Sequence, residues 1–260
     1  MKKLLLIVGI VLLVLLIPVF FLIKSKGKKV QTPVEEASTQ TLIETPLEER
    51  PFVTLTPTSD GKKLIMSVSR IKNAQKIEYE LTYLSQGLSR GVIGSVDASE
   101  LENKSRELLL GSCSKNTCVY DVGVEQGTLT LRFRDGTAVR KFSSDFVLKQ
   151  GVDKLVSSDG KFTFEKKAMP KSFYIVMSTI GLPSDVTGKV VSAPYGVFAE
   201  SSKSVIGATV TISLDEQDSQ AKLFFWNSEK WVNEEKGLKI VEKTISASVD
   251  ALGTFVVTAP

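Results

Sequence analysis

Cys113 and Cys118 are the residues whose type and spacing most directly suggest chemistry. Ser114, Lys115, Asn116 and Thr117 separate them. With Lys115 and Asn116 at the tip of a hairpin, the two cysteines fall opposite each other on neighbouring strands. Their Cα atoms would then sit about 4.5–5.5 Å apart, within reach of a disulfide. So short a loop contributes only roughly 2 kcal/mol through chain entropy, and its larger effect is to fix the hairpin register and stiffen its tip. A redox pair favours a two-residue spacer beside a helix, and a metal site needs more ligands. The pair reads as a structural disulfide, with reduced thiols as the competing state. A disulfide implies an oxidising compartment.

The densest aromatic group is Phe224, Phe225, Trp226 and Trp231. Trp226 and Trp231 bracket Asn227-Ser228-Glu229-Lys230, which reads as a hairpin turn with aromatics packed at its base. One reading is core, with at least one tryptophan buried; the other is a platform that stacks on sugar rings or on a partner's apolar groups. Candidate binding residues are therefore Lys115, Asn116, Trp226, Asn227 and Trp231. Asp215-Glu216-Gln217-Asp218 is the best acidic cluster, but it lacks the spacing and glycine of an EF-hand and reads as a solvated loop. Histidine is absent, so Ser-His-Asp and Cys-His catalysis are impossible. Ser69-x-x-Lys72 and Ser219-x-x-Lys222 lie in β-type surroundings, away from the helix start that a Ser/Lys enzyme uses. A hydrolase whose paired carboxylates meet only in space is the remaining enzymatic possibility. No catalytic residue, metal or cofactor is expected.

The chain of 260 residues carries 33 basic and 29 acidic side chains. Lys2, Lys3, Lys24, Lys26, Lys28 and Lys29 flank the first apolar run, and the remaining 27 basic residues leave a net −2. The basic balance is thus local and does not argue for nucleic acid. Leu4 to Ile23 holds no charged residue, and its length of roughly 30 Å matches a bilayer's hydrocarbon core. It is too long for the apolar region of a cleaved signal peptide, and Lys24-Ser25-Lys26 follows where a small-residue cleavage site would be. The expectation is a single-pass anchor contacting the lipid bilayer. The four lysines after it favour a cytoplasmic C-terminal side, while the cysteines and the habit of N-terminal anchors favour export; export is the expectation.

Residues 1–29 form the anchor with its basic flanks, and residues 30–51 read as an acidic, Pro/Thr-rich linker with no apolar periodicity. From Phe52 onward the pattern has period two. Ile77, Tyr79, Leu81 and Tyr83 alternate with polar residues, as do Leu129, Leu131 and Phe133, and Ala208, Val210, Ile212 and Leu214. Asp135-Gly136 marks a hairpin, Phe255-Val256-Val257 a final strand, and the stretch near Ala98–Leu110 a short helix. Ser59-Asp60-Gly61-Lys62 recurs as Ser158-Asp159-Gly160-Lys161, each before an apolar strand-like run. This reads as domain duplication or as two instances of a common turn. The predicted fold is all-β: two β-sandwich-like domains in series, 52–150 and 151–260, behind one N-terminal transmembrane helix.

On strand count and on Ile77-Glu78-Tyr79-Glu80-Leu81-Thr82-Tyr83, the first domain resembles fibronectin type III and immunoglobulin-like sandwiches. The last hundred residues resemble the ZU5/GAIN-like modules of surface proteins. The resemblance rests on Ala208–Leu214, Leu223-Phe224-Phe225-Trp226, Trp231, Ile245-Ser246-Ala247 and Leu252-Gly253-Thr254-Phe255-Val256-Val257. Some members of that group cleave themselves at a histidine-containing site, which this chain lacks. The whole layout is similar to uncharacterised anchored proteins of bacteria. The expected function is a non-catalytic binding, adhesion or cell-envelope role outside the cytoplasm, with a protein or glycan partner. The alternative is an accessory subunit whose helix docks on another membrane protein.

Overall fold

Alternating apolar residues build most of the strands. In the computed structural model, residues 41–42, 44–102, 104–115, 117–200 and 204–260 are described. The first half supplies β1 (Thr41–Leu42), β2 (Phe52–Pro57), β3 (Lys63–Ser69), β4 (Lys76–Ser85) and β5 (Leu88–Asp97). After a single helical turn, α1 (Ala98–Leu101), come β6 (Lys104–Leu109), β7 (Gly111–Ser114), β8 (Thr117–Tyr120), β9 (Gln126–Asp135) and β10 (Ala138–Gln150). The second half opens with β11 (Lys154–Val156), β12 (Phe162–Glu165), β13 (Phe173–Ser178), β14 (Lys189–Val190) and β15 (Tyr195–Phe198). It continues through β16 (Ser204–Ser213), β17 (Lys222–Trp226), β18 (Trp231–Asn233), β19 (Lys239–Val241), β20 (Thr244–Ala251) and β21 (Thr254–Ala259). The described part is all-β. The Leu4–Ile23 segment lies outside the described residues, among which no helix is long and apolar enough to cross a membrane.

One long sheet runs β18-β17-β21-β15-β13-β10-β9-β4-β5, so strands of both halves share a single hydrogen-bonded surface. The join is β10 with β13, antiparallel from Phe146↔Met177 to Gln150↔Phe173. A three-stranded sheet, β2-β3-β6, and a five-stranded sheet, β11-β12-β16-β20-β19, complete the layers. The first core joins Leu55, Leu64 and Met66 to Ile77, Leu131 and Phe146 across the two sheets that they line. The second core joins Phe162, Phe164 and Val210 to Val197, Leu223 and Phe255. Residues 40–260 form one compact unit.

β13 belongs to both cores. Ile175 and Met177 project into the first, Tyr174 and Val176 into the second. Successive strand residues point to opposite faces, so a strand buried on both must be apolar without alternation, as Tyr174-Ile175-Val176-Met177 is. Across the join, Phe173 places its ring under Gly61, where a Cβ would come within 2.5 Å of it. Arg70 reaches from the first half to the Leu182 carbonyl (3.0 Å) and to Asp185 Oδ1 (2.9 Å).

Two local expectations change and one holds. Near Ala98–Leu110 only α1 is helical, because Lys104–Leu109 pairs with β3 as a strand. The hairpin expected at Asp135-Gly136 does form, with Asp135 paired to Ala138, Gly136-Thr137 at the turn and the positive φ on Gly136. The end of the linker is packed: Thr41 and Leu42 pair with Ala138 and Val139, and Arg50 Nε donates to the Thr45 carbonyl at 2.8 Å. The free outer edge of β10 ahead of β13 gives this polar segment backbone partners, which hydrophobic periodicity does not register.

The repeated Ser-Asp-Gly-Lys segments build the same turn, between β2 and β3 and between β11 and β12. Thr58 N donates to Lys63 O (3.0 Å) and Gly61 N to Thr58 O (2.9 Å), while Ser157 N donates to Phe162 O and Gly160 N to Ser157 O, both at 3.0 Å. In each, an aspartate Oδ1 accepts from the preceding Thr58 or Ser157 hydroxyl and from the Lys62 or Lys161 amide. Gly61 and Gly160 take φ of 68° and 72°, which glycine adopts without strain. The second turn adds a buried contact: Tyr195 OH donates to Asp159 Oδ2 at 2.6 Å.

Two expectations can be measured. Leu131→Ala, in the first core, should cost about 2–5 kcal/mol. Because the cores share β13, it should also lower the urea midpoint read by Trp226 and Trp231 fluorescence, although both tryptophans lie in the second half; an unchanged midpoint would mean the cores unfold separately. The second concerns acid. Burial works to raise the Asp159 pKa, but hydrogen bonds from Ser157, Tyr195 and the Lys161 amide, with the Lys161 charge, outweigh it and hold the carboxyl below its ordinary 3.8. The stability this contributes is present above that value and is lost as pH falls through the lower folded value. Asp159→Asn should therefore flatten the acid limb of a urea-midpoint profile taken from neutral pH to about pH 3.

Candidate binding site

The two tryptophans owe their position to strand register. Trp226 pairs with Trp231 on β18 and with Thr254 on β21; Thr254 pairs with Gly196 on β15, which pairs with Met177. Directly paired residues share a face, so this row lies on the face that buries Met177 in the first core, opposite to Phe225 and the second core. Sequence reading expected at least one tryptophan in the core by alternation between them. As cross-strand partners they instead share the other face, and both are only half-buried. Their rings meet edge-on with centroids 5.4 Å apart.

β2, the edge strand of the three-stranded sheet, packs on β13 and β15. The uncovered face beyond it forms a cleft of about 590 Å³. Phe52 and Ile65 wall it from the first half, Phe198, Trp226 and Leu252 from the second. Glu200 and Asn227 bring a carboxylate and an amide to its lining. The Glu200 carboxylate also accepts from the Ser59 amide, linking the cleft to the first Ser-Asp-Gly-Lys turn. Asn227 Oδ1 accepts from the amides of Glu229 (3.0 Å) and Lys230 (2.8 Å), which fixes the hairpin turn and leaves its Nδ2 for a ligand. Rings and aliphatic walls beside a few polar groups suit the stacking of an apolar or ring-bearing group. A larger cleft of about 720 Å³ lies where β1 and β13 leave part of the β10 edge uncovered. Polar groups such as Thr45, Arg50 and Ser143 share its lining, and it holds none of the sequence-selected residues.

Trp231 has a different task. Its Nε1 donates to the Ser184 carbonyl at 3.1 Å, in the same loop that Arg70 grips from the other half. It therefore positions the loop after β13, while Trp226 lines the cleft. Sequence reading missed Phe52, Ile65, Phe198, Glu200 and Leu252. They come from three separate stretches of the chain, 52–65, 198–200 and 252, and only the sheet register and the overlap of the layers bring them together.

The cysteines form the second sequence-selected site. Cys113 and Cys118 are register partners on β7 and β8 and are joined by a disulfide, with Cα atoms 4.0 Å apart. Both flanking strands are solvent-exposed except at Gly111. Gly111 is required there, since a Cβ would come within 2.2 Å of the Val119 carbonyl. Lys115 sits exposed at the tip with φ of 47°; Asn116 lies outside the described residues. The base is tied down: Tyr83 OH donates to Asp121 Oδ2 (2.8 Å), and Ser85 Oγ donates to the Val122 carbonyl (2.9 Å). Val119 and Val122 are 66% and 58% exposed. Among the described residues no hydrogen bond, ion pair or ring contact links this hairpin to the tryptophan hairpin. The acidic run is a loop in which Asp215 pairs with Lys161 at 2.6 Å, and this pairing lowers its pKa.

No protein-family model, curated protein or solved structure matches this chain. The division of labour between the tryptophans is open to direct test. Trp231→Phe removes the donor to Ser184 and should lower stability by about 1 kcal/mol in urea titrations. Trp226→Phe, whose indole N–H has no hydrogen-bond partner among the described residues, should change it by less than half as much.

Proposed function

We propose that this chain is a single-pass membrane protein, anchored through Leu4 to Ile23, that displays two β-sandwich domains outside the cytoplasm in a non-catalytic binding, adhesion or cell-envelope role. The observation that carries the reading is the Cys113–Cys118 disulfide on a hairpin exposed along both strands. An exposed disulfide in the cytosol meets the glutathione and thioredoxin that keep thiols reduced, whereas it persists in an oxidising compartment. The same bond clamps a projecting tip, and rigid loops on a β scaffold are a common way to hold recognition residues. The two hydrophobic cores favour two sandwiches over residues 52–150 and 151–260, here sharing a sheet. The partner contacted is a protein or a glycan, met at the hairpin tip through Lys115 and Asn116 or at the aromatic cleft through Trp226 and Asn227.

The test is protease treatment of intact cells producing the chain with a C-terminal tag, beside a cytosolic control protein. Loss of the tag while the control survives is the expected outcome, with Cys113 and Cys118 resisting alkylation until a reductant is added. A tag cut only after lysis, with both thiols freely alkylated, overturns the reading.

A further inference from the structure

We propose that the outer edge of β5 pairs with the β5 edge of a second copy of this chain, as an antiparallel ribbon centred on Ile93. β5 ends the long sheet, and it is paired with β4 along its whole length, from Leu88↔Ser85 to Asp97↔Lys76. Among the described residues no strand covers its other side. Exposed edges recruit further strands, and proteins block them with short length, lysine, proline or bulges. Such devices mark other edges here. β18, β19 and β11 are three residues long, β2 ends in Pro57, and β6 carries Lys104, Arg106 and Glu107. β5 is ten residues long, without lysine, proline or a register shift, and its Ile93 is 79% exposed.

The occupant follows from the strand's own pattern. Gln86 and Gly87 form a two-residue turn with positive φ at both positions, so Ser85 and Leu88 close the hairpin as a hydrogen-bonded pair. Alternation from that pair turns the backbone groups of Ser89, Gly91, Ile93, Ser95 and Asp97 outward. A two-fold axis at Ile93 engages all five: Ile93 faces its own copy, Gly91 faces Ser95, and Ser89 faces Asp97, whose carboxylate can accept from the serine hydroxyl. The small residues on either side let the two isoleucines meet. Arg90 and Asp97 lie toward opposite ends of the strand, so the antiparallel ribbon brings one charge of each sign to each end. The contact is isologous and closes as a dimer.

The full-length chain in detergent carries the test, with mass read by sedimentation. The wild type should sediment as two chains and Ile93→Lys as one, with an unchanged circular dichroism spectrum. The native cysteines are bonded to each other, so Ile93→Cys introduces the one free thiol among the described residues. Hydrogen-bonded partners have Cα atoms about 5.5 Å apart, within disulfide range, so mild oxidation should convert this variant to a covalent dimer. Ser89→Cys should not crosslink, since its two copies would stand about 26 Å apart along the ribbon. A wild type that sediments as a single chain, an Ile93→Lys variant that remains two chains, or equal crosslinking by both cysteine variants overturns the proposal.

Discussion

Burial of β13 on both faces is the constraint on which the rest of the structure depends. Its backbone is paired by β10 on one side and β15 on the other, and its side chains alternate between the two cores. A polar side chain at Tyr174, Ile175, Val176 or Met177 would desolvate a group in one core or the other, so the sequence there has no face to give to water. The tyrosine is tolerated because its hydroxyl reaches the Pro170 carbonyl at 2.9 Å. The halves are consequently fused through a common wall rather than strung along a tether, and Arg70 and Phe173 lock the seam from each side.

The cleft is a by-product of that fusion. The three-stranded sheet overlies β13 and β15, and the face of the long sheet continues past its border into Thr254 and the tryptophans. Residues at the border have one side against packed protein and the other against open space, which leaves the aromatics there half-buried. The disulfide hairpin arises differently, as an excursion between β6 and β9 whose base is held by Tyr83 and Ser85 and whose strands add nothing to either core.

Legibility in the sequence followed the number of wet faces. β4 and β9 expose one face to solvent and so spell out their strands by alternation. The disulfide was readable because its partners lie close in the chain, and the tryptophan hairpin because its turn is local. β13 leaves no alternation to read, although an unbroken apolar run is itself the mark of a strand dry on both sides. Burial of the tryptophans was misjudged because it depends on which face the register assigns to them, and that is decided by Thr254 and Gly196, far away in the chain. The packed end of the linker was invisible for a related reason: it is held by backbone pairing and by Arg50, which leave no hydrophobic signature.

The docking of β1 on β10 also decides where mechanical load enters. Thr41 and Leu42 lie parallel to Ala138 and Val139, and the chain then passes under Gly181, whose Cα is so close to the Arg50 carbonyl that a Cβ would come within 2.6 Å. A pull on the segment ahead of Thr41 therefore arrives in the middle of the long sheet, at the strand that joins the two halves. It enters β10 at Ala138 and Val139, at the opposite end from the Phe146–Gln150 stretch that pairs with β13, and reaches neither the disulfide hairpin nor the tryptophan hairpin directly.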